Sequence, residues 1–219
     1  MTDLQGTQTP SVNRRLVLAS KSPRRVELLA KAGFRFVIDP SDVDEDDVPP
    51  GLCSTELAQL LASRKARAVA GRHPSCIVIG ADTVVFARGQ FLAKPIDADD
   101  ARRMMRLLSD STHEVVTGVA LVVQEGASIK VSPIELIGSD TTLIRFREIS
   151  DDEIESHIQS GNWQGKAGGY GLQHEDPQDR DPFVIDIQGE PTNVVGLPMP
   201  LLLKMLAEIT RQTSGPATA

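Results

Sequence analysis

Residues 76–95 read CIVIGADTVVFARGQFLAKP. The run from Cys76 to Phe86 is dominated by apolar and β-branched side chains at a length that suits a buried strand. Arg88-Gly89-Gln90 follows as a turn, and Phe91-Leu92 as a return strand, so the stretch predicts a hairpin hung on the end of a buried strand. Asp82 is out of place in that run. A carboxylate carried inward by a buried strand is costly to desolvate unless it is paired or metal-bound, which makes Asp82 a candidate functional residue beside the alternative of a structural ion pair.

Upstream, Arg15–Ala19 (RLVLA) reads as a second buried strand that feeds a helix, with Ser22 as cap and Pro23 at its first position. Val26, Leu29 and Ala30 form the inward stripe of that helix, and Gly33 stops it. Phe34–Ile38 alternates like a strand, and an acidic, proline-bounded loop follows. A long helix starts at Ser54, with Leu57, Leu60, Leu61 and Val69 inward. Downstream, Asp97 caps a helix with Asp100 at the box position. HEVVTGVALVVQ and the residues from Ile129 to Phe146 form an antiparallel pair, and Ser150 to Glu153 make a capping box for a helix that ends at Ser160-Gly161. A glycine-rich loop, the strand FVIDIQ and a C-terminal helix from about Leu197 to Thr210 complete the chain. Hairpins mixed with crossovers predict an α/β fold whose sheet is mixed and flanked by helices. The expected organisation is one domain over residues 15–211, two lobes around a cleft, with polar tails at 1–14 and 212–219.

The chain has 219 residues, a net charge of -7 and only 4% aromatic residues, so it lacks the basic face and the stacking platforms that a nucleic acid polymer requires. No run of apolar residues is long enough for a membrane span, the N-terminus has no signal-peptide core, and Cys53 and Cys76 are too few for a disulfide framework; a cytoplasmic protein is expected. Walker A and Rossmann glycine motifs are absent, as is the nucleophile elbow of serine hydrolases, and the four His lack metal-ligand spacing.

What remains is polar residues at strand ends. In LASKSPRR (18–25), Ser20, Ser22, Arg24 and Arg25 sit where a strand meets a helix N-terminus, so hydroxyls, guanidinium groups and backbone N–H groups can converge on one anion. Glu45 lies in an acidic run of the kind that is usually a solvated face. Lys65 in the long helix and Lys94 before Pro95 are of a kind more often found on the surface, but Lys65 sits mid-helix among several cations and Pro95 can fix the direction of Lys94. Two carboxylates able to hold a hard divalent cation, with lysines and arginines around them, have the composition of a phosphoryl-transfer site.

With these residues in place, the chain resembles the Maf family of nucleoside triphosphate pyrophosphatases. The blocks that carry the resemblance are LASKSPRRVELL, DVDED, SRKARAVA, GADTVV, KPIDADDARRMMRLLS, THEVVTGVAL, GKAGGYGLQ and TNVVGLP, in that order from Leu16 to about Leu206. The resemblance implies a fold like that of inosine triphosphate pyrophosphatases, a homodimer, dependence on magnesium or manganese, and cleavage of a small-molecule nucleoside triphosphate between the α and β phosphates. It implies Glu45 and Asp82 as metal ligands, Asp82 as general base, and Ser20, Arg24, Arg25, Lys65 and Lys94 as phosphate ligands. Arg24, Thr83 and Gln173 match the group that prefers dTTP and UTP, where the Gln173 amide suits a pyrimidine edge. The alternatives are a 7-methyl-GTP or non-standard purine pyrophosphatase, and a non-catalytic nucleotide-binding regulator of cell division. His174 and the charged stretch after it depart from the family pattern. His113 reads as a core histidine paired with backbone; Trp163 and Tyr170 either line a base pocket or anchor the glycine-rich loop.

Overall fold

A computed structural model describes residues 12–45, 47–125, 132–172 and 181–213. Its sheet is organised about β1 (Leu16–Leu18), which is buried along its whole length. From β1 the chain passes through α1 (Pro23–Lys31) to β2 (Phe36–Ile38) on one side, then through α2 (Ser54–Ala70) to β3 (Ile77–Ala87) on the other. Both neighbours run parallel to β1. A sheet whose connections leave to both sides of one strand opens a crevice at that strand's C-terminal end, the usual ligand position in open α/β sheets.

β3 then reverses through Arg88 and Gly89, both at positive φ (47° and 81°), into β4 (Gln90–Leu92). This is the predicted hairpin, and two successive left-handed residues match its turn to the twist of the strands. After α3 (Ala98–Leu108), the antiparallel half is β5 (Thr112–Val123), β6 (Ile134–Phe146) and, beyond α4 (Asp151–Ser160), β7 (Val184–Gln188). The seven strands form one mixed sheet in the order β2-β1-β3-β5-β6-β7, with β4 on β3. The capping signals hold in detail: the Asp97 carboxylate accepts from Asp100 N–H at 2.8 Å, Ser150 and Glu153 close a capping box, and Gly161 ends α4 at a φ of 71°. No described helix is long and apolar enough to cross a membrane.

Several expectations are corrected. Ser22 stands at the N-cap of α1 but makes no side-chain cap; its own N–H turns back to the Ser20 hydroxyl at 3.2 Å. Ala30 is exposed, and Leu28 and Ala32 pack against the core beside Val26 and the fully buried Leu29. A short helix, α5 (Pro191–Val195), fills what reads in sequence as a turn, and α6 (Met199–Thr213) runs on past Thr210. Arg14 pairs with Glu125 at 2.8 Å and donates to the Thr213 carbonyl at 3.1 Å, which ties the approach to β1 to the end of α6.

The packing of α2 positions the site. Ala58, Ala62 and Ala66 recur every four residues, and all are fully buried. They lie directly on Gly118 and Gly80: a Cβ at Gly118 would stand 2.2 Å from the Ala58 carbonyl oxygen, and one at Gly80 2.2 Å from that of Ala62. Strand alternation puts Asp82 on the same face as Gly80, and the register sets it opposite Gly118. Two missing side chains therefore bring the helix backbone down onto the sheet beside Asp82.

Candidate active site

β1 pairs with β3 only as far as Ile79, and β4 only from Val85. Along the intervening edge, Gly80 to Val84, β3 has no strand partner on that side among the described residues. Asp82 and Thr83 leave this gap toward opposite faces, and a cleft of about 770 Å³ opens around it. That volume accommodates a nucleotide-sized ligand.

On the α2 face, Lys65 Nζ lies 2.5 Å from Asp82 Oδ1 and 2.8 Å from Glu45 Oε1. Lys65 and Asp82 are both buried, whereas Glu45 reaches in from the acidic loop and stays half-exposed. Arg64, the preceding residue of α2, donates to the Asp47 carbonyl and ties the same loop to the helix. Burial raises the Glu45 pKa, but the Lys65 hydrogen bond and the charges of Lys65, Lys94 and Arg25 outweigh it and hold the carboxyl below its usual range. Glu45 is thus a directed carboxylate in an acidic run whose Asp42, Asp44 and Asp47 are exposed.

On the other face, Arg25 spans three elements. Its Nε donates to Gly196 O at 2.8 Å, Nη1 to Ser20 Oγ at 3.1 Å, and Nη2 to Thr83 Oγ1 at 3.2 Å. The hydroxyl directions follow by elimination. Thr117 must donate its single proton to the Asn193 carbonyl, 2.8 Å away, so in its 2.9 Å contact with Thr83 it accepts. Thr83 spends its proton on Thr117 and accepts from Arg25. Ser20 Oγ, in contrast, accepts from both Arg25 and Ser22, which leaves its proton available to an anion. Arg24 is anchored by one bond, Nε to Val195 O at 3.3 Å. Among the described residues, the backbone N–H groups of Arg24 and Arg25 at the uncapped start of α1 have no acceptor. Burial lowers the pKa of both guanidiniums, with Asp82 and Glu45 opposing the shift at Arg25.

All of the expected site residues that the structure describes line this one cleft: Ser20, Arg24, Arg25, Glu45, Lys65, Asp82, Thr83 and Lys94. Gln173 lies outside the described residues, as does His174. Residues that the sequence reading did not single out are Thr117 and the fully buried Asn193, which together fix Thr83, and Lys166, another cation in the cleft wall. Lys166 is carried by the GKAGGYGLQ block, where a lysine between glycines was the available signal. His113 is a core histidine, but its partner is the Tyr170 hydroxyl at 2.5 Å rather than backbone. Trp163 anchors the glycine-rich loop through Nε1 to Ile158 O at 3.1 Å, and Tyr170 is buried at the cleft wall.

Six cations (Lys21, Arg24, Arg25, Lys65, Lys94, Lys166) and two carboxylates line the cleft of a chain whose net charge is -7. Such a local excess suits a polyanion. Among the described residues there is no group of three or more His, Cys, Asp or Glu side chains that could hold a metal ion. Two hard carboxylates that already converge on one cation, the Lys65 ammonium, fit the habit of magnesium, which takes one or two protein carboxylates and completes its shell with water and substrate phosphates.

A family model described as Maf-like protein matches residues 15–209. A dTTP/UTP pyrophosphatase of Koribacter versatilis is 44% identical over 191 residues, covering 87% of this chain and 92% of that protein. One of Pyrococcus furiosus is 39% identical over 193 residues, covering 88% and 94%. A crystal structure of a nucleoside-triphosphatase / dITP/XTP pyrophosphatase from Mycobacterium abscessus aligns with 92% of this chain and 100% of its own at 14% identity, with a TM-score of 0.39.

Proposed function

The chain belongs to the Maf family, and from that premise we propose that it hydrolyses dTTP and UTP to the nucleoside monophosphate and pyrophosphate in the cleft at the open edge of β3. The observation that carries this reading is the position of Asp82: a buried carboxylate on a rigid strand, exposed only at the gap between β1 and β4, with cations around it.

In this reading the triphosphate enters over the start of α1. The unacceptored N–H groups of Arg24 and Arg25, the Ser20 proton, and Lys65 and Lys94 bind phosphate oxygens and offset the charge that develops on the leaving pyrophosphate. Asp82 takes the proton from the water that attacks the α-phosphorus. Asp82 is preferred to Glu45 as base because a strand holds it, whereas Glu45 sits on a loop and gains its direction from Lys65. Glu45 and Asp82 would hold a divalent cation, magnesium or manganese, which when bound supplies charge neutralisation at the phosphates. Thr83 acts on selectivity by fixing Arg25, and the role of Gln173 toward the base rests on the family resemblance, as does a homodimer. A cytoplasmic setting agrees with the free Cys53 and Cys76.

The test is a panel of UTP, dTTP, 7-methyl-GTP and ITP with product identification, run with magnesium present and chelated. Pyrophosphate from UTP and dTTP, lost on chelation, is the expected result. Preference for a purine would move the chain to the other substrate group, and nucleotide binding without product would make it a regulator.

A further inference from the structure

Lys166 is only 8% exposed, yet among the described residues its ammonium has no ion-pair or hydrogen-bond partner. Its backbone is fixed on both sides. Lys166 N–H donates to Trp163 O at 3.4 Å, Gly169 N–H to Lys166 O at 3.0 Å, and Gly168 N–H to Ala93 O at 3.0 Å, which joins this loop to the segment that bears Lys94. Gly165, Gly168 and Gly169 all adopt positive φ (68°, 72° and 76°), conformations that L side chains rarely adopt, and His157 Nε2 meets the Gly169 carbonyl at 2.8 Å. The lysine is therefore held in the cleft wall by a loop with little freedom to withdraw it.

Its nearest charged company makes the placement stranger. Desolvation lowers the Lys166 pKa, the positive charge of Arg24 lowers it further, and Asp181 opposes without forming an ion pair. Arg24 is likewise desolvated and bonded only to a carbonyl. Two desolvated cations that repel each other, with no anion paired to either among the described residues, weaken the fold of the free protein.

We propose that Lys166 is a further anion-binding residue of this cleft and that, with Arg24, it grips the pyrophosphate end of the nucleotide. This rests on the reading that a triphosphate binds here, and it adds a ligand from the glycine-rich loop, on the wall opposite α2. The nucleotide supplies the counter-charge that both cations lack.

The experiment measures binding without turnover, by calorimetry on the full chain, with inorganic pyrophosphate and UMP as separate probes. Replacing Lys166→Gln should weaken pyrophosphate about ten- to a hundredfold, the worth of one charge-assisted hydrogen bond, and leave UMP within about twofold. Lys166→Arg should restore most of the loss. The free Lys166→Gln protein should melt at the same temperature as the parent or higher, since a partly desolvated charge that repels Arg24 has been removed. Unchanged pyrophosphate affinity in Lys166→Gln, or a loss confined to UMP, overturns the proposal. If the parent releases no pyrophosphate from dTTP yet binds it in a Lys166-dependent way, the proposed reaction fails and this inference stands.

Discussion

The Thr83 hydroxyl accepts from Arg25 Nη2 at 3.2 Å and gives its proton to Thr117, so it acts on the guanidinium and has no proton left for a substrate. The chain of bonds continues to Asn193, whose side chain accepts from Thr117 N–H at 3.0 Å and donates to Val115 O at 2.8 Å and to Thr142 Oγ1 at 2.9 Å. Arg25 is thereby referenced to the middle of the sheet rather than to its own helix.

Thr83→Val keeps the shape and removes the acceptor. It should cost about 1–2 kcal/mol of stability, because one guanidinium N–H is left unsatisfied, and raise KM for the triphosphate more than it lowers kcat. Thr83→Ser should behave like the parent. Denaturant unfolding and steady-state kinetics on both variants check this; equal effects of Ser and Val would remove the hydroxyl from the account.

Lys65 neutralises two carboxylates at once. Lys65→Met leaves Asp82 buried without its partner, which should destabilise the protein by about 3–5 kcal/mol. The pH dependence follows the sign of the Glu45 shift. Its folded pKa is depressed, so its contribution to stability is complete above the ordinary carboxylate value and is lost as pH falls through the lower folded value. Without Lys65 the largest lowering influences are gone and burial is opposed only by Lys94 and Arg25, so the stability that Glu45 loses on acidification should shrink or vanish. An undiminished acid-side loss of stability in Lys65→Met would contradict this.

Gly80 and Gly118 are the contact surface for α2. Gly118→Ala places a methyl group 2.2 Å from a backbone oxygen, so the helix must lift, at a cost of about 3 kcal/mol. Because Lys65 rides on that helix, activity should fall with stability, and at temperatures where the variant is still folded. Gly71→Ala, in open space at the end of the same helix, is the control and should change neither.

His113 is buried with its Nδ1 unpartnered, and burial lowers its pKa from 6.5 to about 4. Its folded value lies below the unfolded one, so the stability it protects is complete above 6.5 and declines as pH falls toward 4, by about 3 kcal/mol in all. His113→Phe should flatten that part of the stability profile. A profile unchanged between pH 4 and 6.5 would place the acid sensitivity elsewhere.

Local signals carried most of the fold. The Arg88-Gly89 turn, the Asp97 and Ser150 caps and the β-branched runs act over a few residues, and each stands where its chemistry demands. Failures came where a distant partner outcompetes the local rule. Ser22 is a good cap by type, but its side chain makes no cap, and the start of α1 is held instead by Arg25 through its bonds to Ser20, Thr83 and Gly196. PTNVV is too short and too β-branched to read as a helix, and Asn193 holds it by bonds to β5 and β6. The family blocks brought the cleft residues to notice, yet their division of labour needed the register. Only the pairing of Thr83 with Thr117 shows that its proton is taken, and only the seating of α2 on Gly80 and Gly118 shows that Lys65 is a buried cation.

The central claim is that water, deprotonated at Asp82, attacks the α-phosphorus. Hydrolysis of UTP in water enriched in oxygen-18, with mass spectrometry of both products, tests it most directly. The account predicts one heavy oxygen in UMP, none in pyrophosphate, and no detectable turnover by a folded Asp82→Asn protein. Label in the pyrophosphate, release of UDP and phosphate, or substantial activity in Asp82→Asn would contradict it.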